Sequence, residues 1–314
     1  MRKISCRLLT AAALLAAAIL LLASARGGLE GPGADVLLRF RLFRSLLGFL
    51  VGGSLALSGA IFQAVFRNPL ADPYILGISS GAAAGAAAVF VFVPAGLLFL
   101  CVPAGALAGA LATLGAVLVI SGGGRSADRL LLSGVVTGIV VSSLLIYLIS
   151  LSDSSQLAGV TWWILGDLQG ATPALLAALA GLAAGILAAV QFFSNELNAL
   201  AVGDEAAMTR GVAVRKARLF FVIAASLLAS SCVAAAGIIG FAGLVVPHIV
   251  RLLAGSDHRR ILPAVFLSGG CFLQLCDLTA VALSGAKETP VGVVCSCAGG
   301  ILFLVLLAKR RRQA

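Results

Sequence analysis

The sequence predicts an all-α polytopic membrane protein of about ten transmembrane helices. Three observations predict it. Hydrophobic residues make up 61% of the chain and charged ones 11%, a usage no soluble domain approaches. Apolar blocks repeatedly reach the roughly 20 residues that cover about 30 Å of hydrocarbon at about 1.5 Å per residue. The lysines and arginines sit at the ends of those blocks. A net charge of +10 over 314 residues would otherwise invite a nucleic-acid partner, but bases that mark block ends set membrane topology instead. The chain, 1–314, is expected to be one transmembrane domain in contact with membrane lipid.

Blocks bounded by charge, Gly or Pro fall at 4–24, 45–65, 76–93, 99–121, 129–151, 173–193, 217–236, 241–254, 261–284 and 290–308. The first follows Arg2, Lys3 and Arg7 and ends on Ala-Ser-Ala at 23–25, the pattern of a cleaved signal peptide. Its apolar run is longer than a usual signal core, which favours a first span. The eighth is short for the hydrocarbon thickness and lies beside Gly237, Gly240 and Pro247, so it reads as a broken helix. Irregular backbone at that depth requires surrounding protein or a water-filled cavity.

Orientation is a separate test. With both termini in the cytoplasm, 17 of the 22 bases fall inside and 5 outside, namely Arg26, Arg39, Arg41, Arg44 and Lys287. Arg39, Arg41 and Arg44 crowd together outside, which topology alone does not require.

Residues 194–218 form the longest polar interruption, with Glu196, Asp204 and Glu205 against Arg210, Arg215, Lys216 and Arg218. Gly203-Asp-Glu-Ala-Ala207 followed by Gly211 predicts a short helix whose acids face the positive end of its dipole. Such a polar helix between two spans is either a handle for a partner or a solvated loop. Between spans two and three, Arg67-Asn-Pro-Leu-Ala-Asp-Pro73 predicts a rigid cytoplasmic turn. Pro69 and Pro73 stop helix, while Asn68 and Asp72 cap neighbouring turns. In Gly237-Ile-Ile-Gly-Phe-Ala-Gly-Leu-Val-Val-Pro-His-Ile-Val-Arg251, His248 and Arg251 share a helical face.

Those stretches resemble the permease subunits of the FecCD family, bacterial ABC importers of iron-siderophores, haem and cobalamin. The likeness runs from about residue 36 to 308, strongest over residues 68–73 and 237–251 and weaker at 77–82, 163–166, 203–207 and 288–292. It implies the type II ABC importer permease fold in the bacterial cytoplasmic membrane, paired with a second permease subunit, the other implied partners being two ATPase subunits and an extracytoplasmic substrate-binding protein. It further implies that Gly203, Asp204, Glu205, Ala206, Ala207, Arg210 and Gly211 couple to the ATPase. Arg41 and Arg44 match the outer basic motif that docks the binding protein. The sequence departs from the family's pattern at Phe43 in place of Pro, Arg210 in place of Leu and Val281 in place of an outer Arg, for which Lys287 is a substitute.

In span five, Ser133, Gly134, Thr137, Gly138 and Ser142 make a small-residue face. This is either a close-packing stripe or, by the resemblance, a wall of the pathway. Asp277, the one acid inside an apolar block, lies near the outer end of span nine and is read as a structural or helix-end residue, and His248 as a packed turn residue, since metal sites need convergent ligands. The adjacent Trp162 and Trp163 read as interfacial anchors. All seven cysteines lie in apolar blocks without a ligand spacing. None of the four lysines follows a glycine as in a P-loop, so ATP is expected to bind a partner subunit and no cofactor to bind here. No nucleophile or carboxylate pair supports an enzyme. A proton- or sodium-coupled transporter is the main rival, and only Asp277 could serve it.

Overall fold

The structure, a computed structural model, describes residues 5–25, 34–284 and 288–311. Among them it is helical throughout, with thirteen α-helices and one short 3-10 turn. The helices are α1 (Cys6–Ala25), α2 (Ala34–Val65), α3 (Ile78–Phe92), α4 (Leu98–Ile120), α5 (Ala127–Ser150), α6 (Ser154–Ile164), α7 (Pro173–Phe192), α8 (Ser194–Val202), α9 (Asp204–Thr209), α10 (Val214–Ala236), α11 (Ala242–Ala254), α12 (His258–Leu283) and α13 (Val291–Arg311). Six are long and apolar enough to cross a membrane, and four shorter apolar segments lie in α1, α3, α11 and α13. Together these ten occupy the ten expected blocks.

α2 is the central helix. Its most apolar stretch is 83% buried, against 28% for α4 and α5 and 22% for α7, which form the periphery. It packs along α12, α10 and α11, and glycines allow the backbones to meet. A Cβ on Gly52 would strike the carbonyl of Gly269 in α12, and one on Gly59 that of Gly243 in α11. α3 and α4 cross in the same way at Gly85 and Gly105. In hydrocarbon, where apolar surface gains nothing by leaving lipid, such close approach supplies the van der Waals contact that holds spans together.

Three features differ from the expectation. α2 starts at Ala34, ahead of the block at 45–65, so Arg39, Arg41 and Arg44 ride on its first turns. The loop after α5 folds into α6, capped by Asp153, whose carboxylate accepts the Ser155 and Gln156 N–H groups. Trp162 and Trp163 lie on α6. The interruption at 194–218 carries a second helix, α8, whose Leu197, Ala199 and Leu200 are buried. The broken helix expected near 241–254 is there: α10 stops at Ala236, residues 237–241 are non-helical, and α11 restarts after Phe241 at φ 66°. Tyr74 closes the break by donating its hydroxyl to the Ile239 carbonyl at 3.1 Å.

Candidate functional site

Charge gathers at the end of the bundle where α8 and α9 lie. Gly203, extended at φ 152° and ψ 161°, ends α8 and starts α9, and Gly211 at φ 77° turns the chain out of it. Ala207 anchors α9 in the core, while Glu205, Met208, Thr209 and Arg210 face outward. Behind α9 stands Arg218 of α10, a fully buried side chain. Its Nη2 donates to Asp204 Oδ1 at 2.6 Å, and its Nη1 to the carbonyls of Gly124 and Arg125 at 3.1 and 3.0 Å. Arg215 lies alongside and donates to the carbonyls of Gly122 and Gly123. α8 is fixed to α12 by Asn198, which donates to Asp257 Oδ1 at 2.8 Å and accepts the His258 N–H at 2.9 Å. Asp257 caps α12, and the Arg259 guanidinium beside it holds its carboxyl down at about 2.

The turn after α2 approaches this assembly. Arg67 adopts φ 51°, and its guanidinium lies over Gly203. Asn68 Oδ1 accepts the Leu70 N–H and Asp72 Oδ1 the Tyr74 N–H, the caps that the residue types promised. The turn is not wholly solvated: Pro69 is exposed, but Pro73 is buried against Gly243. Burial outweighs the Tyr74 N–H and pushes the Asp72 carboxyl up to about 6. Next to it, Gln63 donates to the Gly243 and Leu244 carbonyls and accepts from Arg251. A cleft of about 720 Å³ runs between this turn and α8, lined by Arg67, Pro69, Arg210, His248, Arg251 and Arg259 among others. A second of about 760 Å³ opens on the other flank of α8 and shares Arg210. Among the described residues no three His, Cys, Asp or Glu side chains converge as metal ligands.

Along α5 the small residues divide. Ser133 and Gly134 are buried, with Gly134 against the backbone of Ile75 and Leu76. Gly138 meets Gly77, and Ser142 donates to Ser80 of α3 at 2.9 Å. Thr137, Gly138 and Ser142 stay half-buried, the last two beside a groove of about 360 Å³. The outward wall of α5 is instead Leu132, Val136, Ile139, Val140, Ile146 and Tyr147. At the opposite end of the bundle, Arg44 is not displayed in the open. Its guanidinium grips Asp277 of α12, with Nε and Nη2 at 3.0 and 2.8 Å from Oδ1, and the two side chains are 16% and 10% exposed. Arg41 is half-buried one turn earlier, and Lys287 lies outside the described residues.

Residues 18–309 match the FecCD transport family. The chain belongs to that family. Among its relatives, the hemin transport system permease protein HmuU of Yersinia pestis is 40% identical over 88% of this chain and 84% of its own length. The vitamin B12 import system permease protein BtuC of Klebsiella pneumoniae is 38% identical over 90% of this chain and 85% of its own. A solved ABC transporter described as metal-chelate type, in an inward-facing conformation, superposes with a TM-score of 0.88. It shares 28% identity and covers 97% of this chain and 100% of its own. The fold is therefore that of an ABC importer permease in the FecCD family, and the protein is a multi-pass membrane protein.

Within this FecCD framework the sequence reading located α9, the turn at 68–73 and the break at 237–241. It did not find the Arg218 hub, the Asn198 clasp or the Arg44–Asp277 pair. Except for Arg218–Asp204, those contacts join residues 59 to 233 positions apart for which no local pattern exists, apart from the oddity of an acid inside an apolar block.

Proposed function

We propose that this FecCD chain is the membrane subunit of an ATP-driven importer, working with a second copy of itself, and that its cargo is an iron(III)-siderophore-type chelate. Two ATPase subunits seat on α8 and α9, and an extracytoplasmic binding protein delivers the cargo at the other end. Both termini lie in the cytoplasm, as the 17 to 5 split of bases supports. The observation that carries the reading is α9 itself, a short acid-first helix held from behind by buried groups while its outer face, Glu205, Met208 and Arg210, stays exposed. Resemblance to a metal-chelate type transporter supports a chelate cargo. Haem or cobalamin is the second reading, supported by the names of the hemin and vitamin B12 relatives.

The acid that a proton-coupled transporter would use, Asp277, is engaged by Arg44 near one end of the bundle. We therefore place energy input outside this chain. We assign binding-protein docking to Arg41 and Arg44, with Lys287 a further docking charge by its place in the sequence. Thr137, Gly138 and Ser142 border the pathway. The test is uptake into proteoliposomes holding this chain, its ATPase subunits and its binding protein. Uptake that requires ATP on the α9 side supports the proposal. Uptake driven by a proton gradient without ATPase subunits contradicts it.

A further inference from the structure

We propose that Arg218 is the strut that carries movement of α9 to the start of α5, making it a positioning residue for coupling. The inference rests on the reading above that an ATPase grips α9. Its observations are separate from that reading.

α9 packs on α8 and α10, so force applied to its outer face has two ways into the bundle. One passes through α8, which the Asn198 clasp ties to Asp257 and His258 of α12. The other passes through Arg218. This guanidinium is 1% exposed, and it reaches Asp204 in the first turn of α9 with one nitrogen and the carbonyls of Gly124 and Arg125 with the other. The carbonyls belong to the link between α4 and α5. There Gly122, Gly123 and Gly124 all take positive φ, 72°, 69° and 75°, a conformation that turns the link's carbonyls toward α10 and that residues with a Cβ resist. Two residues further, Ser126 caps α5 by accepting the Arg129 N–H. α9, the guanidinium, the link and α5 are thus joined through one polar bridge.

A planar guanidinium with a fixed fork suits this task, since it holds three acceptors in one geometry. Burial makes the bridge stiff. Pulling Asp204 away would leave a desolvated cation short of its counter-charge, and pulling the link away would strand two acceptors, so the parts are favoured to move together. Arg215, donating to Gly122 and Gly123 from one turn earlier in α10, holds the same link and steadies it. At the far side of the bridge, α5 presents the exposed apolar wall of Leu132, Val136, Ile139 and Val140. That is the face a moving α5 would offer to or withdraw from a neighbouring subunit.

The experiment measures cargo imported per ATP hydrolysed in proteoliposomes carrying the full complex. Arg218→Lys keeps the charge but loses the fork. Its complex should purify with the ATPase subunits and keep basal hydrolysis, while cargo per ATP falls by about tenfold. Asp204→Asn, at a side chain 35% exposed, should lower the ratio less. Combined, the two should lose no more than Arg218→Lys alone, because both cut one connection. An unchanged ratio in Arg218→Lys, or losses that multiply in the combination, overturns the strut. Should Arg218→Lys fail to fold, Asp204→Asn decides: a normal ratio, or a reduced ratio explained by weaker affinity for the ATPase subunits, overturns the proposal, and a reduced ratio with unchanged ATPase-subunit affinity supports it. A parent complex that imports nothing on ATP overturns the proposed function and the strut with it, whereas a working parent with neutral variants overturns the strut alone.

Discussion

Replacing Asp277 by Asn tests whether the Arg44–Asp277 pair clamps α2 to α12. The pair is bidentate on the guanidinium side, with contacts of 3.0 and 2.8 Å, and its members are 16% and 10% exposed. Removing one partner of a buried pair costs about 3–5 kcal/mol, because a desolvated charge is left behind. Two things reduce that figure here: some solvent reaches both groups, and an Asn carbonyl still accepts one N–H from Arg44. A cost of about 2–3 kcal/mol remains, which lowers the melting temperature by roughly 5–10 °C at the size scaling of a larger domain. Cys232, Cys271, Cys276 and Cys295 are buried, so labelling by a thiol-reactive dye above the level set by exposed Cys297 and half-buried Cys6 and Cys101 follows unfolding of the detergent-purified protein. The double variant Arg44→Met with Asp277→Leu removes both charges and should recover most of the loss, since apolar replacement of a buried pair is often neutral. Single variants that melt with the parent, or a double variant as unstable as the sum of the singles, would refute the clamp.

Three further outcomes are expected. Gly59→Ala places a methyl against the Gly243 carbonyl, where two helix backbones touch and neither can yield, so folded yield should collapse while Gly115→Ala, with open space around it, is tolerated; equal yields would show that α2 and α11 are not in contact. The folded value of Asp72, about 6, exceeds the unfolded 3.8, so the protonated form is favoured by folding. Its stabilisation is complete below pH 3.8 and lost as pH rises through about 6, on the order of 1–3 kcal/mol, and Asp72→Asn should flatten that part of the melting-temperature profile while keeping the cap on Tyr74. Arg41→Glu should weaken capture of the binding protein at low salt and less so at high salt, because salt screens the long-range attraction between the two proteins; salt-independent capture in parent and variant alike would remove Arg41 from the docking surface.

Hydropathy made the ten apolar blocks legible because, in hydrocarbon, every backbone polar group must be satisfied within its own helix, and the side chains advertise that over about 20 residues. The same signal failed where charge interrupts helix. Arg39, Arg41 and Arg44 hid the first turns of α2, and Asn195, Glu196 and Asn198 disguised α8 as loop, although its Leu197 and Leu200 are core residues. α6 was obscured because an 11-residue segment between spans carries neither length nor a long apolar run. At the site, turn chemistry around Asn68 and Asp72 and the Gly203 to Gly211 pattern were readable since each is local. Arg218 was not, because two of its three acceptors are main-chain carbonyls more than ninety positions away that carry no side-chain signature, and Asp204 reads on its own as a helix-start acid.

The central claim is that the segment bearing α9 faces the cell interior, where an ATPase can hold it. A cysteine placed at Glu205, which is exposed, reports this when its labelling by a membrane-impermeant maleimide is compared with the parent chain in intact and in permeabilised cells. Labelling confined to permeabilised cells is the result expected. Equal labelling in intact cells would put α9 on the outer face and contradict the account.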